Sequence, residues 1–424
     1  MTDLGTRVVP PGGTALRRAA PALLGYAAVR GLGLLVLALW SAARGKSAHT
    51  LLTARWDALW YTRVAELGYG YEVRLPNGDV HSNLAFFPLL PWLERLLHAV
   101  SPLSYADAGF TVALLASLAA AWGIFAVADH VYGRRVGVCA VLVWALLPVG
   151  IVQSMAYSES LFTALAAWSL YAVLTGRWVT AGVLASLSGL TRPVGLAVVA
   201  AVWAAGLASF LRDRGASSGS PFGRSGSTAP EPGARPPERA PGPPADRALR
   251  REAAPEGARP AVRALGMFLA PLGTAGYVLW VGHRTGRGPL GYLDVQAGWR
   301  NGFDGGYAFA RFIADKFTSF PSAPAGLGLI VGVAALILLY VVCVWQRQPL
   351  PLLVHSGAVL ALALCASSYF GSKPRLLLPA FPLLFPLALA LARPRTPRAA
   401  LVVGGVALAS AAYGAWWLNG SGPP

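Results

Sequence analysis

Residues 21–43 read Pro-Ala-Leu-Leu-Gly-Tyr-Ala-Ala-Val-Arg-Gly-Leu-Gly-Leu-Leu-Val-Leu-Ala-Leu-Trp-Ser-Ala-Ala, and a little further on comes Arg55-Trp56-Asp57-Ala58-Leu59-Trp60-Tyr61. The first stretch carries one charge, Arg30, and is long enough to cross the ~30 Å hydrocarbon core, which takes roughly 20 apolar residues. The second is dense in aromatic and charged residues, the composition of a lipid–water boundary. A membrane helix followed by a boundary segment sets the reading of the whole chain.

Long apolar windows recur from residue 21 to residue 418, at about 21–43, 107–128, 136–153, 158–174, 178–191, 194–211, 262–282, 323–345, 350–369, 374–392 and 399–418. The fifth is short and reads as half of a broken pair with the sixth around Arg192-Pro193. Across 424 residues, 55% are hydrophobic and 12% charged, with mean hydropathy +0.53. Soluble domains carry about 25% charged residues. The expectation is an all-α polytopic integral membrane protein with about 11 transmembrane helices and a long first external loop.

The net charge of +17 suggests nucleic acid at first sight, but its distribution argues for topology instead. Arg7, Arg17 and Arg18 precede the first window, Arg134 and Arg135 follow the second, Arg177 the fourth, and Arg393, Arg395 and Arg398 the tenth. The positive-inside rule then places the amino terminus in the cytoplasm and the carboxy terminus outside. Residues 44–106, 154–157, 283–322 and 370–373 fall outside, although the 44–106 loop also holds arginines. The first window is too long for a cleavable signal and reads as an anchor.

Residues 212–261 stand apart. They are rich in Pro, Gly, Ser and Arg, without apolar periodicity, and their arginines alternate with Asp213, Glu231, Glu238 and Glu252. Such a segment buries too little surface to offset chain entropy and reads as a disordered cytoplasmic linker. It divides the chain into a membrane half, 1–211, that contains the 44–106 loop, and a second half, 262–424. Within that loop, Phe86 to Val100 reads as an amphipathic interfacial helix, with Leu89, Leu93, Leu96, Leu97 and Val100 on one side and Glu94, Arg95 and His98 on the other.

Asp57 leads the candidates for chemistry. A loop aspartate is ordinarily a helix cap or a solvated acid, but Trp56, Trp60 and Tyr61 flank this one, and their faces suit sugar rings and polyprenyl chains. A carboxylate in partly desolvated surroundings is a stronger base. Asp79 and Glu72 share the loop as weaker rivals, with Pro76-Asn77-Gly78-Asp79 reading as a turn. Glu159, in Tyr157-Ser158-Glu159, has two readings of equal weight: a dipole complement in a first helical turn, or a lining residue of an external cavity. Arg192, in Thr191-Arg192-Pro193-Val194-Gly195, and Arg375, in Ser372-Lys373-Pro374-Arg375, lie where an arginine is costly unless it pairs or faces a polar cavity. Both can bind a lipid-linked phosphate, whereas Lys373 reads as snorkelling to the interface.

The three cysteines lie in apolar windows at unrelated spacing, and the six histidines are scattered, so no metal site is expected. Only His81, near Asp79, invites a test. No P-loop or dinucleotide fingerprint is present, so no cofactor is expected.

Three strings occur in order: Trp56-Asp57-x-x-Trp60-Tyr61, Phe86-Phe87-Pro88 and Tyr157-Ser158-Glu159. With Thr191-Arg192-Pro193-x-Gly195 they resemble the PIG-V-type mannosyltransferases of the GT-C class. The resemblance is strongest over 55–95 and 148–195, and it does not account for 212–261. It implies a GT-C-like fold and an enzyme of the cell membrane that takes mannose from a polyprenyl phosphate at an external site. Asp57 would be the base, and Trp56, Trp60, Tyr61, Glu159, Arg192 and Arg375 would bind substrate. The partners implied are a lipid-borne sugar donor, a lipid or glycan acceptor and the bilayer itself, with no nucleic acid. The alternative is a polytopic transporter or lipid-carrier flippase, which would not need an acid set among aromatics in a long external loop.

Overall fold

The computed structural model describes residues 12–218, 258–367, 369–394 and 396–420. These residues are mostly helical, as hydrocarbon requires of the spanning segments, because every backbone polar group there must be satisfied within its own segment. The helices run α1 (Gly12–Ala43), α2 (Ala48–Thr53), α3 (Asp57–Leu67), α4 (Leu89–Ala99), α5 (Tyr105–Tyr132), α6 (Arg134–Ala145), α7 (Ser158–Leu174), α8 (Trp178–Gly189) and α9 (Leu196–Ser218). After the undescribed residues come α10 (Ala258–Leu269), α11 (Leu272–Thr285), α12 (Gly291–Gly298), α13 (Tyr307–Asp315), α14 (Ala323–Trp345), α15 (Leu350–Cys365), α16 (Lys373–Leu376), α17 (Phe385–Ala392) and α18 (Thr396–Leu418).

Among the described residues, six helical stretches are long and apolar enough to cross a membrane: 15–43, 105–132, 193–214, 260–285, 323–345 and 397–418. Two helix pairs qualify only jointly, bent by 90° between 134–145 and 148–154 and by 80° between 370–376 and 381–392. Helices α7, α8 and α15 are apolar but short. All eleven expected windows therefore fall on apolar helix, but length and composition qualify six spans, or eight with the bent pairs. The break expected between α8 and α9 is present as a 3-10 turn at Pro193–Gly195, while the sharp bends lie elsewhere.

The main core joins α1, α5, α6 and α7 through Tyr26, Ile124, Trp144 and Leu170, with Phe381 and Phe385 entering from the second half of the chain. Helices α8 and α10 approach at glycine: a Cβ on Gly182 would strike the Gly266 carbonyl, and one on Gly266 would strike that of Trp178. Small residues allow such backbone contact where lipid offers no hydrophobic drive for association. Beside this contact, Arg263 pairs with Asp213 at 2.8 Å. Helix enters the expected 212–261 linker from both ends, as far as Ser218 and from Ala258; residues 219–257 lie outside the described residues, as do Arg7 and Arg395.

The 44–106 loop is ordered. Strands β1 (Glu72–Arg74) and β2 (Val80–Ser82) pair antiparallel, Glu72 opposite Ser82, around the turn at Asn77-Gly78. Gly78 takes φ +86°, and Asn77 Oδ1 accepts from the Asp79 amide. The helix expected within Phe86 to Val100 forms as α4, but its facing differs from the expectation. Leu90, Pro91 and Glu94 are buried, whereas Trp92, Leu96 and Val100 are exposed. An apolar side chain beside lipid has no reason to turn inward, so the apolar stripe does not identify the packed face.

Candidate active site

The chain passes from α2 to α3 through Trp56, which takes φ 52° and ψ −125°, an uncommon conformation for a bulky residue. The Arg55 guanidinium lies 4.0 Å over its indole, and Trp56 packs against an apolar cluster that includes Leu37, Leu51 and Val152. Asp57 follows in the first turn of α3, and Tyr61 lies one turn on.

The other half of the site comes from the bent α6 segment. Beyond the kink, Gln153 Nε2 donates to the Trp144 carbonyl and the Ala156 amide to the Leu52 carbonyl. The first bond ties the segment that leads into the Tyr157-Ser158-Glu159 string back to α6, and the second ties it to α2 in the first loop. Glu159 is 1% exposed. Its Oε1 lies 2.5 Å from Arg192 Nη1 and 3.5 Å from Arg375 Nη1. Arg375 Nη2 in turn lies 2.7 Å from Asp57 Oδ2, and its guanidinium sits 5.0 Å over the Tyr157 ring. Tyr61 shares a 2.7 Å hydrogen bond with Ser158 Oγ, and burial pushes its phenol up, so it acts as a neutral hydrogen-bonding group.

Two carboxylates and two guanidinium groups balance in charge, which is what makes burial of Glu159 and Arg375 tolerable. The hydrogen bonding is not complete. Neither Glu159 oxygen receives an aligned hydrogen bond, and Arg375 Nε and Nη1 have no acceptor. Asp57 is the accessible member, with its side chain 24% exposed.

The four charged groups share one cavity of about 390 Å³. Phe86, Trp299 and Tyr369 form its aromatic side, and Val359, Leu362, Leu376 and Pro379 its aliphatic side. Segments far apart in sequence thus converge: the first loop, the start of α7, the α8–α9 break, α12 and the α15–α16 connection. Asp57, Tyr61, Glu159, Arg192 and Arg375 all line the cavity; Trp56 and Trp60 do not. Trp60 instead stacks on Phe86, with centroids 5.6 Å apart and planes at 6°, and meets the Trp299 ring at 4.9 Å, so it backs the aromatic side.

Trp299, Gln296, Asn301 and Tyr369 line the cavity without having been singled out in the sequence. Trp299-Arg300-Asn301 has the aromatic-plus-polar texture of the first loop, the one signal that pointed to it. The Trp299 indole donates to the Ser82 carbonyl at 3.0 Å and stacks on His81 at 4.0 Å. Burial holds His81 below the usual imidazole range, with Asp79 pulling the other way. Asp79 pairs with Arg300 at 2.6 Å, and Glu72 is exposed on β1; neither lines the cavity. Lys373 corrects its expectation. It does not snorkel but is buried, donating to the Ala363 and Ala366 carbonyls at 2.7 Å each and so capping α15. Among the described residues no group of three or more His, Cys, Asp or Glu gathers as metal ligands would.

Three of the four charged cavity residues fall in one matched segment. Residues 41–213 match the mannosyltransferase (PIG-V) family. The matched segment carries Asp57, Tyr61, Glu159 and Arg192, while Arg375 and Trp299 lie beyond it. No curated protein matches the chain significantly. Among solved structures it is similar to ArnT from Cupriavidus metallidurans bound to undecaprenyl phosphate, at 14% identity and TM-score 0.45, over 93% of this chain and 62% of that one. The apo form of ArnT gives 14% identity and TM-score 0.45, over 92% and 62%. The chain thus spans less than two thirds of ArnT.

Proposed function

We propose that the protein is a membrane glycosyltransferase that moves mannose from a polyprenyl-phosphate donor to a lipid or glycan acceptor on the external face. The observation that carries this reading is the pairing of an accessible acid with unsatisfied guanidinium donors in one largely apolar cavity: Asp57, and Arg375, whose Nε and Nη1 have no hydrogen-bond acceptor. The match to the PIG-V family supports mannose as the sugar.

The donor phosphate lies against Arg375 and Arg192, which Glu159 holds from behind, and the polyprenyl chain follows the aliphatic side. Asp57 accepts the proton of an acceptor hydroxyl as that oxygen attacks the anomeric carbon. The bond to the phosphate oxygen breaks, its electron pair leaves with the phosphate, and the guanidinium groups stabilise the charge that develops. Attack opposite the phosphate inverts the anomeric configuration. Since Arg375 bridges Asp57 and Glu159, donor binding draws on an arginine already in place.

The test is mannose transfer from a synthetic polyprenyl-phosphate mannose by the purified protein. Asp57→Asn lowers turnover by about 10²–10⁴, the usual contribution of a general base. A correctly folded Asp57→Asn protein with near wild-type turnover removes Asp57 from that role. Movement of the lipid-linked sugar across proteoliposomes, with no glycosidic product from any acceptor, replaces the enzyme by a flippase.

A further inference from the structure

A second hollow lies at the other end of the bundle. It is a groove of about 910 Å³ between α1, α6 and α18, lined by Ala28, Leu32, Val138, Leu142, Val403 and Gly404 among others, with Arg134 and Arg135 at its rim. The side chains that line it lie in the first two thirds of α1 and the first part of α6. Asp57 and Glu159 follow the far ends of those same elements, so the groove and the charged cavity belong to opposite ends of the helices.

The rim is strongly and one-sidedly basic. Arg134 Nε donates to the Arg18 carbonyl, which brings Arg17 and Arg18 beside it. Arg135 Nη2 donates to the Pro394 carbonyl at 2.7 Å, which brings Arg393 and Arg398 near. Asp129 neutralises Arg18 at 2.8 Å. Arg17, Arg134, Arg135, Arg393 and Arg398 form no ion pair among the described residues. Below this rim the groove is apolar and floored partly by small residues, such as Ala28 and Gly404. From the level of Arg18 to that of Leu32 is roughly 21 Å along α1, at about 1.5 Å per residue. One leaflet of the hydrocarbon core is about 15 Å deep, with the headgroup layer above it. The dimensions and the charge match one lipid molecule standing in one leaflet.

We propose that this groove is a binding site for an anionic diacyl phospholipid of the bilayer, its phosphate held by Arg134 and Arg135 and its acyl chains lying between α1 and α18. A general attraction of the basic end for anionic membranes differs from such a site in one respect: it needs the charges but not the groove. The occupant is set by complementarity at both ends, an anion at the rim and about one leaflet of hydrocarbon beneath it.

The experiment uses the full chain, purified in detergent and titrated with phosphatidylglycerol or phosphatidylcholine, with lipid retention read by native mass spectrometry. The wild type retains one phosphatidylglycerol in preference to phosphatidylcholine. Arg134→Gln with Arg135→Gln keeps side-chain donors for the two carbonyls but weakens phosphatidylglycerol retention roughly fivefold per arginine, about 25-fold for the pair. Ala400→Trp, at a groove-lining position on the exposed side of α18, lowers retention with every charge intact. Equal retention of the two lipids by the wild type overturns the proposal. So does Ala400→Trp that binds as wild type, which would leave only surface electrostatics, and so does a groove filled by residues 1–11 or by a second copy of the chain, seen as lipid-free protein that gains the lipid only on truncation or dissociation.

Discussion

Glu159 is the residue on which the site turns, because it is the anion shared by both arginines. Removing one partner of a buried charge pair leaves the other uncompensated, at about 3–5 kcal/mol. Glu159→Gln should therefore lower the thermal midpoint of the solubilised protein sharply. Combined with Arg192→Gln, it should cost clearly less than the sum of the two single changes, since the pair is one interaction. Additive losses would mean that the two residues do not support each other. Glu94 gives a second, independent prediction. It is fully buried on α4 with neither oxygen partnered, and burial holds its carboxyl well above the usual range. The folded chain therefore keeps a proton that the unfolded chain releases, and this term erodes stability as pH rises above the ordinary value of 4.5 towards the folded one. Glu94→Gln keeps the shape without the titration. Its melting temperature should exceed that of the wild type at pH 8, with the advantage shrinking towards pH 5; parallel curves would mean that Glu94 finds a partner in solution.

At the scale of elements, the contact of α8 with α10 joins the two halves of the chain through glycine. A Cβ on Gly266 has nowhere to go but the Trp178 backbone, so Gly266→Val must push the helices apart. The expected cost is about 1–3 kcal/mol, the usual range for overpacking, read as a lower melting temperature and faster proteolysis between the halves. A variant as stable as wild type would show the contact to be loose. The hairpin of β1 and β2 is likewise held by α12, through the Trp299 indole on the Ser82 carbonyl and its stack on His81. Trp299→Ala should speed amide exchange across residues 72–82 while leaving α5 and α7 unchanged. No change in the hairpin would assign its order to the turn alone.

At the scale of the molecule, the 44–106 and 283–322 loops and the segment at 370–376 meet at one cavity, which suits a single external site. We propose the amino terminus inside and this cavity outside. Single cysteines at Glu72 and Leu290, both exposed, should react with a membrane-impermeant thiol reagent in intact cells once Cys139, Cys343 and Cys365 are replaced. A cysteine at Arg177 should react only after permeabilisation. The reverse pattern would invert the topology and exclude an external donor. The two membrane halves, 1–211 and 262–424, are already joined by α8, α9 and α10, so we propose that residues 219–257 are a linker whose replacement by a short flexible one leaves transfer activity largely intact.

The order of spans and loops was legible in the sequence because hydrocarbon imposes it: a helix must be apolar along its length to cross, and charge must collect at its ends. Arg192 and Arg375 stood out for the same reason, being charges in places where charge is costly, whereas Asp57 stood out by its aromatic neighbours and Glu159 by its place in Tyr157-Ser158-Glu159. What the sequence could not contain is which of them meet. Arg375 reaches Asp57 and Glu159 only because α6 bends by 90° and the 370–392 segment by 80°, and a fold in angle leaves no mark on hydropathy. The aromatic residues show the same division. Trp60 and Trp299 are alike in composition and setting, yet packing puts Trp60 behind the cavity and Trp299 on its lining. The buried Glu94 and the outward Leu96 on α4 mark the limit most clearly: facing lipid, apolar residues gain nothing by turning inward, so only the packed helices decide which side of an element is the inside.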